Sequence, residues 1–305
     1  MIYGIDVGGT KIEIAVYADD LNAVDRWRTA TPTESYDAFI ETLANLIGEA
    51  DAKFGVEGTV GLGIPGLIDA EGRSLSSNIP AANGRNVRRD LSARIGRKVT
   101  IGNDCRCFAL SEATGGAGEG FRNVYGAVLG TGAAGGFVVD GVLEAGRQGI
   151  AGEYGHIPLP ALMQQRYDLP LRQCGCGLPS CVEGYISGPG LMFLQQYFGG
   201  SFADAPTLAS AWRAGDGVAE KTFDVYLDIL GSTFATLVLL HDPDIIVLGG
   251  GVSLIDGIPE RLSGAIEEHL FNNAKSPIIR RAKFGDASGS RGAAILANQA
   301  LKSSQ

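Results

Sequence analysis

The chain has 305 residues, 45% hydrophobic and 19% charged, enough for about two domains with buried cores. A net charge of −9 with no basic run excludes nucleic acid as the expected partner, because phosphate binding rests on clustered Lys and Arg. The start, MIYGIDVGGTK, lacks the basic and long apolar stretches of a signal peptide, and no run reaches 18 apolar residues, FATLVLL stopping at His241-Asp242, so a soluble cytoplasmic protein without a membrane partner is expected.

Residues 3–17, YGIDVGGTKIEIAVY, read as strand, glycine turn and strand, with Ile12, Ile14 and Val16 alternating with Lys11, Glu13 and Ala15. Residues 34–54 place Phe39, Ile40, Leu43, Leu46, Ile47 and Phe54 at helical spacing. VGLGIPG (60–66) and RKVTIGND (97–104) read as strands ending in loops, and CRCFALSEA (105–113) as a helix. YGAVLGTGAAGGFVVD (125–140) echoes the first hairpin, and GGAGEG (115–120) precedes it, so a duplicated architecture with a flexible junction is expected. Residues 219–241 form a long apolar helix, DIIVLGG (244–250) a buried strand, 257–271 a helix, and SRGAAILANQAL (290–301) a closing helix. Alternating strands and helices give the α/β class.

The glycine loops bear on phosphate binding. GTGAAG (130–135) fits the dinucleotide pattern G-x-G-x-x-G, but a strand, GGFVVDG, follows where that site needs a helix. GIDVGGTK is a near miss for a Walker A loop, again with a strand after it. Both read as hairpins whose turn N–H groups can hold phosphate oxygens. Plain tight turns remain the alternative for either loop alone. A strand-GGG-helix at 247–255 adds a third glycine site.

In order, GIDVGGTKIE, GIPG, NDCRCFALSEA, VLGTGAAGGFVVDG, GEYGH, CGCGLPSCVEGYISG and DPDIIVLGGGVS resemble the ROK family of sugar kinases nearly end to end. The resemblance implies an α/β, actin–hexokinase-type (ribonuclease H-like) duplicated two-domain fold with a central cleft. Residues 1–118 plus 288–305 would form the small domain, to which the last helix returns, and 119–287 the large domain with a zinc-binding loop. The implied reaction is ATP-dependent phosphorylation of N-acetyl-D-glucosamine at its 6-hydroxyl, giving the 6-phosphate and ADP. A fructokinase or glucokinase is the alternative, and a homodimer is implied. The family also holds sugar-responsive repressors with an N-terminal helix-turn-helix, against which a hairpin starting at Ile2 and the acidic charge are read. A non-catalytic sugar-binding module is disfavoured by Asp104 and the two loops.

Asp104, between a strand and a helix, is on its own an N-cap candidate. The resemblance makes it the general base for the sugar hydroxyl, kept ionised by the helix N-terminus. Asn103 would hold the sugar through its amide, and Gly66, Asn78, Glu153, His156 and Glu183 would complete the sugar contacts. Asp6, a turn former on its own, would lie near Mg2+ and the phosphates. For ATP the resemblance implies Gly4, Ile5, Asp6, Val7, Gly8, Gly9, Thr10 and Lys11 in the first loop. It adds Gly130, Thr131, Gly132, Ala133, Ala134, Gly135, Gly136 and Phe137 in the second, and Gly249, Gly250 and Gly251 beside adenosine.

QCGCGLPSCVEGY (173–185) gathers Cys174, Cys176 and Cys181, with His156 eighteen residues before the first. Three Cys and one His make a closed tetrahedral set for a structural Zn2+, whereas C-x-C alone is ambiguous with a redox pair. An odd total of five cysteines in a reducing compartment disfavours disulfides. The metal would staple the loop carrying Glu153 and His156 to the segment carrying Glu183. Cys105 and Cys107, two apart on a helix, do not face each other and read as core or neutral thiols.

One departure stands out: the family usually has Asn-Asp-Ala-Asn, and here the run is Asn103-Asp104-Cys105-Arg106. Arg106 either points into the cleft and lowers the Asp104 pKa, or points to solvent and changes nothing. For the acceptor, SSNIPAANGRNVRRDLSARI (76–95) places Pro80 and Ala81 where related fructokinases tend to carry tryptophan, leaving space for an acetamido group.

Overall fold

The computed structural model describes residues 1–69, 71–76 and 78–302. Ser77 of the SSNIPAANG stretch and residues 303–305 of the expected first domain lie outside them. The chain forms two compact units, Met1–Gly116 with Gly141–Ala151 and Phe284–Gln305, and Ala117–Asp140 with Gly152–Lys283. On sequence the boundaries fall at 118 and 288 and residues 141–151 go with the second domain. Here that segment packs with the first, where Gln299 Nε2 donates to the Gly141 carbonyl (2.8 Å) and Arg106 Nε to that of Ala151 (2.8 Å).

In chain order the first unit holds β1 (Ile2–Val7), β2 (Lys11–Tyr17), β3 (Ala23–Ala30), α1 (Tyr36–Phe54), β4 (Thr59–Ile64), β5 (Leu67–Ile68), β6 (Ser74–Leu75), α2 (Val87–Ile95), β7 (Val99–Asn103) and α3 (Asp104–Ala113). The second opens with β8 (Asn123–Leu129) and β9 (Ala133–Val139). After β10 (Val142–Leu143) in the first unit, the second continues with α4 (Ala161–Tyr167), α5 (Glu183–Ile186), α6 (Gly188–Tyr197), α7 (Ala205–Arg213), α8 (Gly217–His241), β11 (Ile245–Gly249), α9 (Ile258–Glu267) and β12 (Ile278–Arg281). α10 (Ser288–Lys302) closes the first unit.

The strand order β3-β2-β1-β4-β7 has β1, β2 and β3 antiparallel in turn, and β1, β4 and β7 parallel. The run β9-β8-β11-β12 repeats it: β8 is antiparallel to β9 and parallel to β11, which is parallel to β12. The echo of two hairpins is therefore an echo of two sheets.

Local chemistry explains the main elements. Ser35 caps α1 by accepting from the Ala38 N–H (3.3 Å), and Gly55 ends it at φ +66°. Its Phe39, Ile40, Leu43, Leu46 and Ile47 are buried in the first core. On another face of that sheet α10 comes so close that a Cβ on Gly4 would overlap the Ser290 carbonyl, and one on Gly61 the Ala293 carbonyl. In the second unit Phe223, Tyr226, Leu230 and Phe234 of α8 are fully buried, each contributing about 1.5–3 kcal/mol, and Trp212 stacks on Phe223 with ring centroids 4.0 Å apart.

Among the described residues one helix, α8, is long and apolar enough to cross a membrane by length and composition, although no uninterrupted apolar run of that size exists in it. Its most apolar 18-residue window is 67% buried, as in the core helix of a globular unit. The expected strand-GGG-helix instead enters a short 3-10 turn at Gly251–Leu254 before α9 begins at Ile258.

Candidate functional site

In the first unit, Asp6 stands one residue from the end of β1, and the chain turns through Gly8, Gly9 and Thr10 before Lys11 opens β2. The Gly8 N–H donates to the Lys11 carbonyl (2.9 Å), and Thr31 Oγ1 to the Gly8 carbonyl (2.7 Å). Thr10 and Lys11 are exposed. Gly4, Ile5 and Val7, also expected at the nucleotide, are buried strand residues, so the accessible loop narrows to Gly8–Lys11. Asn78 lies beside this loop: a Cβ on Gly9 would come 3.0 Å from the Asn78 carbonyl oxygen.

Asn103, not Asp104, caps α3, accepting from the Arg106 N–H (3.1 Å) while its Nδ2 donates to the Gly66 carbonyl (2.9 Å). Gly66 sits at φ +91°, where a Cβ would also overlap the Leu75 carbonyl. Asp104 is the first helical residue, and its Oδ1 accepts from the Cys105 N–H (2.9 Å). The helix N-terminus does not decide its charge: burial raises its pKa above the usual carboxylate range, against smaller downward pulls from Cys105 and Arg106. Burial, then the Asp104 and Glu13 charges, push Asp6 up to about 7, with Lys11 opposing. Sequence reasoning missed Gly289, on which a Cβ would sit 2.7 Å from the Asp6 carboxyl carbon. The only signal was the glycine in SGSRG, in the first turn of the last helix.

Arg106 does not point to solvent, and its charge is the last of the pulls that lower the Asp104 pKa. It is 3% exposed, donates from Nε to the Ala151 carbonyl (2.8 Å), and lines a cavity of about 290 Å³ with Ile68, Ile101, Asn103, Leu143 and Leu296. Cys107 is buried, which pushes its thiol pKa up, and Cys105 is half-buried.

In the second unit the glycine turn is Gly130–Gly132, while Ala133–Phe137 already lie in the β8–β9 ladder. The Gly130 N–H donates to the Gly132 carbonyl (2.9 Å), and the Gly188 N–H to the Gly130 carbonyl (2.7 Å). Glu183, the first residue of α5, accepts the Ala133 N–H at Oε2 (3.0 Å), a contact the sequence gave no sign of. Gly249 ends β11, Gly250 (φ +80°) packs on the backbone of Leu129 and Gly130, and Gly251 is exposed. The two glycine sites of this unit thus meet around one turn.

The ligand atoms of His156, Cys174, Cys176 and Cys181 all lie within 4.8 Å of one another. Cys174 Sγ is 3.7 Å from His156 Nδ1, and Cys176 Sγ 3.5 Å from Cys181 Sγ. Tetrahedral Zn–S bonds of about 2.3 Å require sulfurs about 3.8 Å apart, so this donor set fits zinc. All five cysteines are free. The Leu159 N–H to Ser180 carbonyl (2.8 Å) and Val182 N–H to Ile157 carbonyl (2.9 Å) bonds already join the His156 segment to that of Cys181. Glu153 precedes the 3-10 turn Tyr154–His156, with Oε2 3.9 Å from His156 Nε2.

A profile described as "ROK family" matches residues 2–300. Over 296 residues the chain is 50% identical to the N-acetylgalactosamine kinase AgaK of Shewanella sp. (strain ANA-3), covering 97% of this chain and 96% of that one. Over 299 residues it is 42% identical to the N-acetyl-D-glucosamine kinase of Salmonella heidelberg (strain SL476), covering 97% and 99%. Among solved structures it is similar to a ROK hexokinase from Thermus thermophilus, with TM-score 0.87, 34% identity and 99% of each chain covered. A ROK family glucokinase from Streptomyces griseus, solved with glucose and AMPPNP, matches with TM-score 0.79 and 26% identity over 98% of this chain and 99% of that one. With the repeated sheet order, these likenesses place the fold in the actin–hexokinase class.

Proposed function

The chain belongs to the ROK family, and on that premise we propose that it transfers the γ-phosphoryl group of ATP to the 6-hydroxyl of an N-acetylated hexosamine, N-acetyl-D-glucosamine first. The observation that carries this reading is near-full-length likeness to two kinases of such sugars, at 50% and 42% identity. Because the more similar of these two is named for N-acetylgalactosamine, that C4 epimer is the second reading.

Asp104 takes the proton of the attacking hydroxyl. Burial makes it more basic than a free aspartate, and the Cys105 N–H holds its other face. The Asn103 amide, fixed by its bonds to α3 and Gly66, presents its second N–H to a sugar hydroxyl. Glu153 and His156 contact the sugar, as does Glu183, which also braces the phosphate turn through Ala133. Lys11 and the N–H groups of Gly9, Thr10, Thr131 and Gly132 hold phosphate oxygens at the ends of turns closed by the Gly8 and Gly130 N–H groups, and Gly249–Gly251 lie by adenosine.

Asp6, whose charge is repelled by that of Asp104, is a hard oxygen donor suited to Mg2+, which would neutralise phosphate charge when bound. The His156, Cys174, Cys176 and Cys181 set would hold a structural zinc, with no position left for water. The protein would act in the cytoplasm, as a homodimer.

A coupled ADP-release assay over N-acetylglucosamine, N-acetylgalactosamine, glucose and fructose tests the substrate. Higher kcat/KM for glucose or fructose than for both N-acetylated sugars would overturn the assignment. Asp104→Ala is expected to lower kcat about 10²–10⁴-fold with sugar binding retained. Unchanged turnover removes Asp104 as the base.

A further inference from the structure

Arg106 stands where the family pattern has asparagine, and its surroundings give it a job. A buried guanidinium is costly unless hydrogen-bonded, and this one, 3% exposed, donates from Nε to the Ala151 carbonyl at 2.8 Å. Ala151 is the last residue of the segment that runs with the first unit, whose other end is held by Gln299 at the Gly141 carbonyl (2.8 Å). Gly152 comes next, at φ +98°, and its own carbonyl accepts the Gly135 N–H (2.8 Å). A Cβ on Gly152 would overlap the Gly135 backbone, so no side chain is tolerated there. Two successive carbonyls are thus held, one by Arg106 and one by β9, and Glu153 follows them directly.

We propose that Arg106 is a positioning residue for Glu153: through the Ala151 carbonyl it fixes the backbone from which that carboxylate projects. The inference rests on the reading of Glu153 as a sugar-binding group. The guanidinium charge is a separate and smaller influence, the last of the pulls that lower the Asp104 pKa. The hydrogen bond and the charge can be separated chemically. Glutamine places an N–H donor as many bonds from Cα as arginine Nε but carries no charge, and methionine has similar length with neither.

The test measures KM for N-acetyl-D-glucosamine and for ATP, kcat, Tm and amide hydrogen exchange around Gly152–Glu153 in full-length Arg106→Met, Arg106→Gln and Glu153→Ala. Arg106→Met is expected to raise the sugar KM about tenfold, the scale of one hydrogen bond, with faster exchange at Gly152–Glu153 and an ATP KM within about twofold. Arg106→Gln is expected to restore the sugar KM and the slow exchange. The proposal is overturned if Arg106→Gln behaves like Arg106→Met, or if Arg106→Met lowers Tm with the sugar KM unchanged. Should Arg106→Met not fold, Arg106→Gln decides: a sugar KM within about twofold of the parent supports the proposal, and a rise of about tenfold ends it. If Glu153→Ala leaves the sugar KM unchanged, the role of Glu153 fails and the positioning claim with it. If Glu153→Ala raises it and Arg106→Met does not, only the positioning claim fails.

Discussion

The two glycine hairpins occupy equivalent places in two sheets of the same order, yet they are braced in different ways. The β1–β2 turn carries its acid on its own strand, Asp6, and is held by its own backbone and by Thr31, whose hydroxyl donates to the Gly8 carbonyl and whose N–H donates to that of Thr10. The β8–β9 turn has Val128 at the equivalent strand position. Its acid comes from fifty residues downstream, where Glu183 accepts the Ala133 N–H, and Gly188 and Gly250 press on Gly130. A duplicated frame can therefore be furnished locally or from a distance. The local acid stays beside its own turn, and the distant one ties its turn to the segment that follows Cys181.

The largest expected break in this comparison is Asp6→Asn, which should lower kcat about 10²–10³-fold, the scale of one lost electrostatic group. The same change should stabilise the fold at high pH. Asp6 is pushed from 3.8 to about 7, so its neutral form favours the native state; that stability is full below pH 3.8 and lost as pH rises to about 7. The Asn variant should be more stable by up to about 4 kcal/mol above pH 7, with the difference vanishing near pH 3.8. Thermal melts across that range check it, and a variant less stable at pH 8 contradicts it.

Next in size, Glu183→Ala removes the distant brace, and kcat/KM should fall about 10–100-fold through both the sugar and the β8–β9 turn. A loss confined to the sugar KM would show that the Ala133 contact is idle. Metal removal acts on the same side only: chelation, or Cys181→Ser, should raise the sugar KM about 10-fold and lower Tm, with the protein releasing one zinc measured by elemental analysis. A preparation free of zinc yet fully active would end that reading. The smallest effect belongs to Thr31→Val, where loss of one hydroxyl bond of about 1 kcal/mol should raise the ATP KM about fivefold and leave the sugar KM alone.

Legibility followed burial and spacing. α1 was plain because Phe39, Leu43 and Ile47 recur at helical intervals on a buried face. β3, with Val24 exposed and only alternate residues half-covered, is an edge strand with little buried face to read, and it escaped notice along with α2, α6, α7 and β12. The cysteine and histidine set was legible because the ligand types are rare and three lie within eight residues. Arg106 was not, because its partner lies 45 residues away and is a main-chain carbonyl, which any residue could supply.

Sequence alone determined the α/β class, the twin hairpins, the family, and the residue types from which the chemistry is proposed, since these depend on local periodicity, glycine turns and donor chemistry. Tertiary structure decided which acid supports which turn, that Asn103 rather than Asp104 caps α3, and that Asp6 and Asp104 are raised rather than held down. The physical reason is that desolvation and hydrogen-bond partners are properties of the packed interior, set by residues far apart in the chain.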